Sequence, residues 1–598
     1  MSAPPRSSIP ASSRWRLEAI YAREEDFEAE LLRVDRELPG LSTFAGTLDR
    51  GPGRLREFFE LEHRIAADLE LVATYAHLRH DEDTTLPGPR AAHQRARDLW
   101  ARFAALRAFA EPELMALEEK SFKAYVESPE LAPYRVLLER LQLLRPHVLG
   151  HEEERLIAEL SPVLAASGDA FRAFADSDLK FPDIADASGA TLPLTQGAFY
   201  RYLIHPEREV RRQAFEGILG GFAAWPNLLA GALGSTVKKH TIFARVRGYG
   251  SALEAALKPN FIEAEVYHRL LEAVHAGMSV HHKYLKLRRK ALGLGELRFY
   301  DLYVPMAGDP GKTYGVEEAQ KLLLEALQPL GGEYVSEVER GLKSGWVDWF
   351  ENNGKRGGAY SSGCYRSEPY ILMNFDGTLH GVLTLAHEMG HSMHSLLSRR
   401  FQPYWNSEYP IFLAEVASIF NEQLMLQRLR AAARTRAERL VLANYELEQL
   451  RTTFFRQTMF AEFELAMHRE VEEGRPLTAA SLQELYGRIL DRYFGSEVAK
   501  HPLILAEWSR IPHFYYNFYV YQYATGIAAA FALARRVLAG GDAERAAYLG
   551  FLGSGCSRDP VPTLRGAGVD MLSPHPVAAV LSRMEELIGE CESLLEKP

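Results

Sequence analysis

The residues best equipped for chemistry lie in Thr384–Ser395, TLAHEMGHSMHS, where two histidines stand four residues apart and a glutamate follows the first. On an α-helix, positions four apart differ by about 40° around the axis, so the imidazoles of His387 and His391 project from one face. Two nitrogens so placed reach a single cation at the ~2.0–2.1 Å of a zinc–imidazole bond. Glu388 stands about 100° round from His387, outside that ligand set but suited to touch a water on the cation. Zinc lowers the pKa of such a water from 15.7 to about 7 and polarises a carbonyl oxygen. A carboxylate beside it can take the proton and pass it to a leaving amine. The pattern therefore predicts one Zn²⁺ per chain, hydrolysis, and Glu388 as general base. The bland alternative is two histidines on a solvated helix face. It is weakened by the mainly apolar run Val382–Ala386, because a buried helix must find partners for its polar groups.

A catalytic zinc takes three protein ligands and keeps one position for water. The motif helix is expected to end near Arg400, and Phe401–Pro410 (FQPYWNSEYP) reads as a loop. A second apolar-periodic helix starts at Ile411, IFLAEVASIFNEQLML. Its first turns carry Glu415, and Glu422 shares that face seven residues on. Spacing alone leaves Glu408, Glu415 and Glu422 all open as the third ligand, with Glu422 also suited to accept from a ligand histidine. His394, on the same face as the pair, fits packing or support better than a fourth ligand.

Hydrolysis also needs donors aimed at a developing oxyanion. Ile511–Gly526, IPHFYYNFYVYQYATG, places Tyr516, Tyr519 and Tyr523 at i, i+3 and i+7, which predicts one helical face, with His513 just ahead. An aromatic core stripe is the plain alternative. Three phenols beside a histidine are hard to satisfy in a dry core, which favours a polar channel.

These residues need a scaffold, and the chain of 598 residues is long enough for several domain-sized units. Most of it repeats apolar residues with helical period, as in Leu61–Leu78 and Arg135–Leu160. Two stretches break the period. Phe181–Leu194 (FPDIADASGATLPL) reads as a small hairpin or loop and marks an expected boundary between residues 1–190 and 191–598. Gly354–Phe375 begins Gly-rich and ends in Tyr370–Phe375, a short run suited to a strand, before the motif helix starts near Thr378.

Net charge is -10, and no basic face of the kind that neutralises nucleic-acid phosphates stands out. Arg208, Arg211 and Arg212 read as a solvated helix face. Three scattered cysteines give neither a disulfide framework nor paired metal ligands. With no apolar h-region at the start and no run of about 18 apolar residues, the expectation is a soluble, cytoplasmic protein without membrane or nucleic-acid partners.

The run from Lys355 to His391, with KRGGAYSSG, PYILMNFDGTL and TLAHEMGH, resembles the oligoendopeptidase F branch of the thimet-oligopeptidase-like (M3) metallopeptidases. The likeness continues through Phe412–Glu422 (FLAEVASIFNE), His513–Gly526 and the carboxyl-terminal GSGCSRDPVPTLRGAGVDM. The resemblance implies a mostly α fold, with two helical lobes enclosing a deep substrate channel and a small β element beside the HExxH helix. Residues 1–190 would form the N-terminal helical lobe and 191–598 the catalytic domain. It implies Glu415 as third ligand, and His513 with Tyr516, Tyr519 or Tyr523 at the scissile carbonyl. Gly357, Gly358, Ala359 and Tyr360 would belong to a loop covering substrate, and Tyr370–Phe375 would form an edge along which a peptide lies. One departure shows: Gly381 stands before Val382 where the family commonly has an acidic residue, which puts helix-start stabilisation in doubt. The function implied is endopeptidase action on short, unstructured peptides. The alternatives are a dipeptidyl carboxypeptidase or other zinc exopeptidase, and a non-enzymatic helical binding protein.

Overall fold

The computed structural model describes residues 3–308 and 311–596, apart from the side chain at 151. The chain is mostly helical, with small sheets of two or three strands. Contacts divide it into two compact units. The first comprises Met1–Val148, Lys312–Leu429 and Leu533–Gly568; the second comprises Leu149–Gly311, Arg430–Ala532 and Val569–Pro598. The units are interleaved along the chain, so the division expected at 190/191 falls within the second.

In the first unit, helix α1 (Pro52–Glu82) opens with proline at its first position, where the missing N–H is not needed. It contains the expected segment Leu61–Leu78. Its Phe58, Leu69, Val72 and Tyr75 are buried in a core that also takes Tyr370 and Leu372. Those two residues come from a three-stranded sheet of β1 (Val347–Asp348), β2 (Tyr360–Ser362) and β3 (Tyr370–Leu372). Strand β3 is central, parallel to β1 and antiparallel to β2. The expected free edge at Tyr370–Phe375 is therefore corrected. A strand of three buried residues serves as the middle of a sheet, and the two edges belong to β1 and β2.

Helix α2 (Leu379–Phe401) carries the HExxH residues, and helix α3 (Ile411–Ala432) follows. Thr378 caps α2, its hydroxyl accepting from the Gly381 N–H at 3.1 Å. Asp376 accepts in turn from the Thr378 N–H at 3.0 Å and hydroxyl at 2.7 Å. The helix start thus has a carboxylate from the preceding turn, and a Cβ at Gly381 would crowd it, lying 3.0 Å from Asp376 Oδ1 and 3.2 Å from the Phe375 ring.

The segment Arg135–Leu160 is not one helix. It breaks into Arg135–Leu144, a 3-10 turn Arg145–His147, and a helix from His151 to Ala173. Pro146 and Gly150 interrupt the hydrogen-bond ladder there. In the second unit, Ile184–Ala185 pairs with Thr191–Leu192 as the expected small hairpin, with Gly189 at φ 80° in its turn. The reading of Arg208, Arg211 and Arg212 as one solvated face is corrected too. Arg208 and Arg211 both bind the fully buried Asp301, at 2.7 and 3.0 Å, and only Arg212 makes surface pairs, with Glu209 and Glu216. No single helix among the described residues is long and apolar enough to cross a membrane.

Candidate metal centre and active site

Helices α2 and α3 meet at an unusually short distance. A Cβ placed on Gly390 would lie 2.6 Å from both the Ala417 carbonyl oxygen and the Ser418 Cα. Only glycine allows two backbones so near. That contact, one residue before His391 and two after Glu415, brings the carboxylate of α3 to the imidazoles of α2.

The Nε2 atoms of His387 and His391 lie 3.2 Å apart. Glu415 Oε2 stands 3.4 Å from the first and 3.8 Å from the second. Ligand atoms ~2.0–2.1 Å from a tetrahedral cation lie about 3.3 Å from one another, so these three residues fit zinc. They are also the group of histidine and acidic side chains among the described residues whose donor atoms converge in this way. Of the carboxylates left open by spacing, Glu408 is mostly exposed and faces Arg399 at 3.6 Å. Glu422 approaches the opposite ring nitrogen of His387, with Oε1 2.5 Å from Nδ1. That hydrogen bond fixes the tautomer that presents Nε2 to the site. Ser418 Oγ donates to Glu415 Oε2 at 3.2 Å and steadies the third carboxylate.

The electrostatics favour positive charge at this point. Burial works to lower the His387 imidazole, but Glu422, Glu415 and Glu388 raise it, to about 9 overall. The His391 imidazole falls to about 4 through burial and the charge of His387. The pair thus carries one positive charge beside three acidic side chains, and the same field draws a cation to the gap between the two nitrogens. Glu388 is buried beside them, and that burial is the main cause pushing its carboxyl up to about 7, near the value a general base needs. The Ser361 backbone, on edge strand β2, works against that rise. The Ser361 and Ser392 hydroxyls are 2.8 Å apart and tie β2 to α2. His394 is fully buried and stacks on Tyr409 with ring centres 3.6 Å apart, a packing role.

The loop before β2 is held from both sides. The Arg356 N–H donates to the Asp81 carbonyl at 3.1 Å, and Asn374 Nδ2 donates to the Arg356 and Gly358 carbonyls at 3.0 and 2.8 Å. Gly357 and Gly358 are exposed with open space where a Cβ would stand, and Gly358 has φ 83°. Ala359 and Tyr360 are half-buried. The Tyr360 hydroxyl donates to Asp81 Oδ2 at 2.9 Å, which commits it to the end of α1. Asp81, Gly390 and Ser418 were not singled out from sequence. Gly390 was the findable one, since a glycine inside an apolar helix costs stability unless another backbone comes close.

In the second unit, His513, Tyr516, Tyr519 and Tyr523 form a ring cluster. The His513 centroid lies 5.7, 6.1 and 6.2 Å from those of Tyr516, Tyr519 and Tyr523, and the last two tyrosines are 5.5 Å apart. They do not share one helical face. A 3-10 turn ends at Tyr515, Asn517 and Phe518 adopt left-handed φ of 52° and 59°, and helix α5 begins only at Tyr521 (Tyr521–Ala539). Only Tyr523 is helical, and the loop folds the other rings back toward it. Burial lowers the His513 imidazole below its usual range.

Comparison with known proteins places this arrangement. The sequence model of peptidase family M3 matches residues 201–582, and that of oligopeptidase F matches residues 113–181. Oligopeptidase PepF of Bacillus subtilis is 41% identical over 595 residues, covering 99% of this chain and 89% of that protein. Group B oligopeptidase PepB of Streptococcus agalactiae is 37% identical, covering 99% and 98%. The crystal structure of oligoendopeptidase-F from Enterococcus faecium superposes with a TM-score of 0.74 at 34% identity, covering 96% of this chain and all of that one.

Proposed function

Because the chain belongs to peptidase family M3, in its oligoendopeptidase F branch, we propose that it is a zinc endopeptidase cleaving internal bonds of short, unstructured peptides. One Zn²⁺ per chain would be held by His387, His391 and Glu415. The observation that carries this reading is the mutual spacing of 3.2, 3.4 and 3.8 Å among their donor atoms. When bound there, zinc supplies the Lewis-acid charge that acidifies a water and polarises the scissile carbonyl.

The chain's own residues do the rest. Glu388 takes the proton of the attacking water and delivers it to the leaving amine, its buried carboxyl poised near neutrality for both transfers. Glu422 keeps Nε2 of His387 available by holding the proton on Nδ1. His513, Tyr519 and Tyr523 donate to the carbonyl oxygen as charge develops there, and Tyr516 contacts substrate. The open glycines Gly357 and Gly358, with Ala359 and Tyr360, border the peptide, which adds as a strand to β2. That β2 is an edge strand tied to α2 through the Ser361 and Ser392 hydroxyls supports this placement. The three cysteines are free thiols, in keeping with a cytoplasmic setting.

The test is digestion of a short peptide blocked at both ends, beside elemental analysis of the purified protein. Internal cleavage with about one zinc per chain supports the reading. An intact blocked peptide, with cleavage only when the carboxyl end is free, would assign an exopeptidase instead.

A further inference from the structure

The ring cluster is presented by a backbone that its sequence does not favour. Asn517 and Phe518 are both left-handed, and neither is glycine. Asparagine tolerates that region; phenylalanine rarely enters it unless its surroundings compel it. Two contacts hold Phe518. Its ring is buried against His468 and Tyr267, at centroid distances of 4.3 and 5.7 Å. Its N–H donates to Glu464 Oε1 at 2.6 Å.

Glu464 is the unusual partner. It lies on helix α4, Arg456–Glu472, with no exposed surface, and its Oε2 has no hydrogen-bond partner. Among the described residues no arginine or lysine pairs with it. Burying a carboxyl group without a cation is unfavourable, and burial pushes this one up to about 8. A leucine would fill the volume with no such penalty. What a leucine lacks is an acceptor for the Phe518 N–H, which would then be orphaned in the interior. Below Glu464 the helix is braced: His468 donates from Nδ1 to the Glu464 carbonyl at 2.8 Å and stacks on His240.

We propose that Glu464 is a positioning residue: its hydrogen bond to the Phe518 N–H holds the left-handed turn that carries Tyr519 to His513 and Tyr523. Glu464 touches no substrate. It acts through the loop, and the proposal rests on the role assigned above to that ring cluster. An acceptor oxygen at this reach is the requirement, whatever its charge.

The test uses the full-length protein and a short blocked peptide. Tyr519→Phe and Tyr523→Phe first establish that the cluster contributes to kcat. Glu464→Leu should then lower kcat by about tenfold or more, with KM changed less than about threefold, because misplaced donors cost transition-state stabilisation. Glu464→Gln, which keeps an acceptor oxygen, should retain most of kcat. If Glu464→Leu yields no folded protein by circular dichroism, Glu464→Asp carries the test, because it retracts the acceptor by one methylene. Unchanged kcat in Glu464→Leu or Glu464→Asp, or an equal loss in Glu464→Gln, overturns the proposal. Unchanged kcat in both tyrosine variants instead removes the assigned role of the cluster, and the proposal with it.

Discussion

Glu388 and Glu422 are both buried carboxyl groups beside His387, and their surroundings give them different work. Glu422 is bound to a histidine nitrogen; Glu388 is buried with a carboxyl raised to about 7. Glu388→Gln should therefore keep its zinc by elemental analysis yet lose about 10²–10⁴-fold or more in kcat. Loss of the metal, or comparable residual turnover, would remove Glu388 from the role of base. Glu422→Ala should behave in the opposite way. A ligand deprived of its orienting partner weakens metal binding by about 10–100-fold, so chelator titration should strip the variant at far lower concentration. Equal resistance to chelation would show that Glu422 does not support the site.

Helices α2 and α3 set the geometry through the absence of a side chain. Gly390→Ala puts a methyl group 2.6 Å from the Ala417 carbonyl, and the other side is backbone, which cannot rotate away. The expected cost is about 1–3 kcal/mol by urea unfolding, with weaker zinc binding as Glu415 is displaced. Unchanged stability and affinity would mean the helices are not held by this contact. At this scale the sequence was partly legible. The helical period alone placed His387 and His391 on one face, because a four-residue spacing leaves no freedom. It could not choose Glu415 over Glu408 and Glu422, since the loop Phe401–Pro410 decides where the next helix returns. The tyrosines were read as a helical face because their spacing suits one. The two left-handed residues that break it, Asn517 and Phe518, have no signal in a sequence that shows no glycine there. The buried run Tyr370–Leu372 was legible as a strand but not as the central one, because pairing partners distant in sequence determine that.

Across the whole molecule, the mostly helical class followed from composition and period, whereas interleaved units leave no composition shift to read. Each unit contains buried or half-buried imidazoles, and they give stability a pH dependence. Burial lowers His63 and His468 to about 4 and His281 to about 3, with His77, His93 and His268 shifted the same way. Between pH 6.5 and about 4, His63, His281 and His468 are neutral in the fold and charged in the unfolded chain, and the other three contribute in the same direction. The unfolded state then binds more protons, so stability falls as pH falls, by up to about 1.4 kcal/mol per pH unit for each fully shifted group. Glu62, Glu70, Glu388, Glu464 and His387 are raised and act in the opposite direction, but fewer groups are raised than lowered, since His240 and His394 are lowered as well. Urea unfolding at pH 7.5 and pH 5 should show the lower midpoint at pH 5; an equal or higher one would contradict this balance. Catalysis turns on where a cation sits. Anomalous diffraction from zinc-loaded crystals at the zinc edge measures it directly. One strong peak within bonding distance of His387 Nε2, His391 Nε2 and a Glu415 carboxylate oxygen is the predicted result, and a peak that leaves Glu415 uncoordinated, or none at these residues, would contradict it.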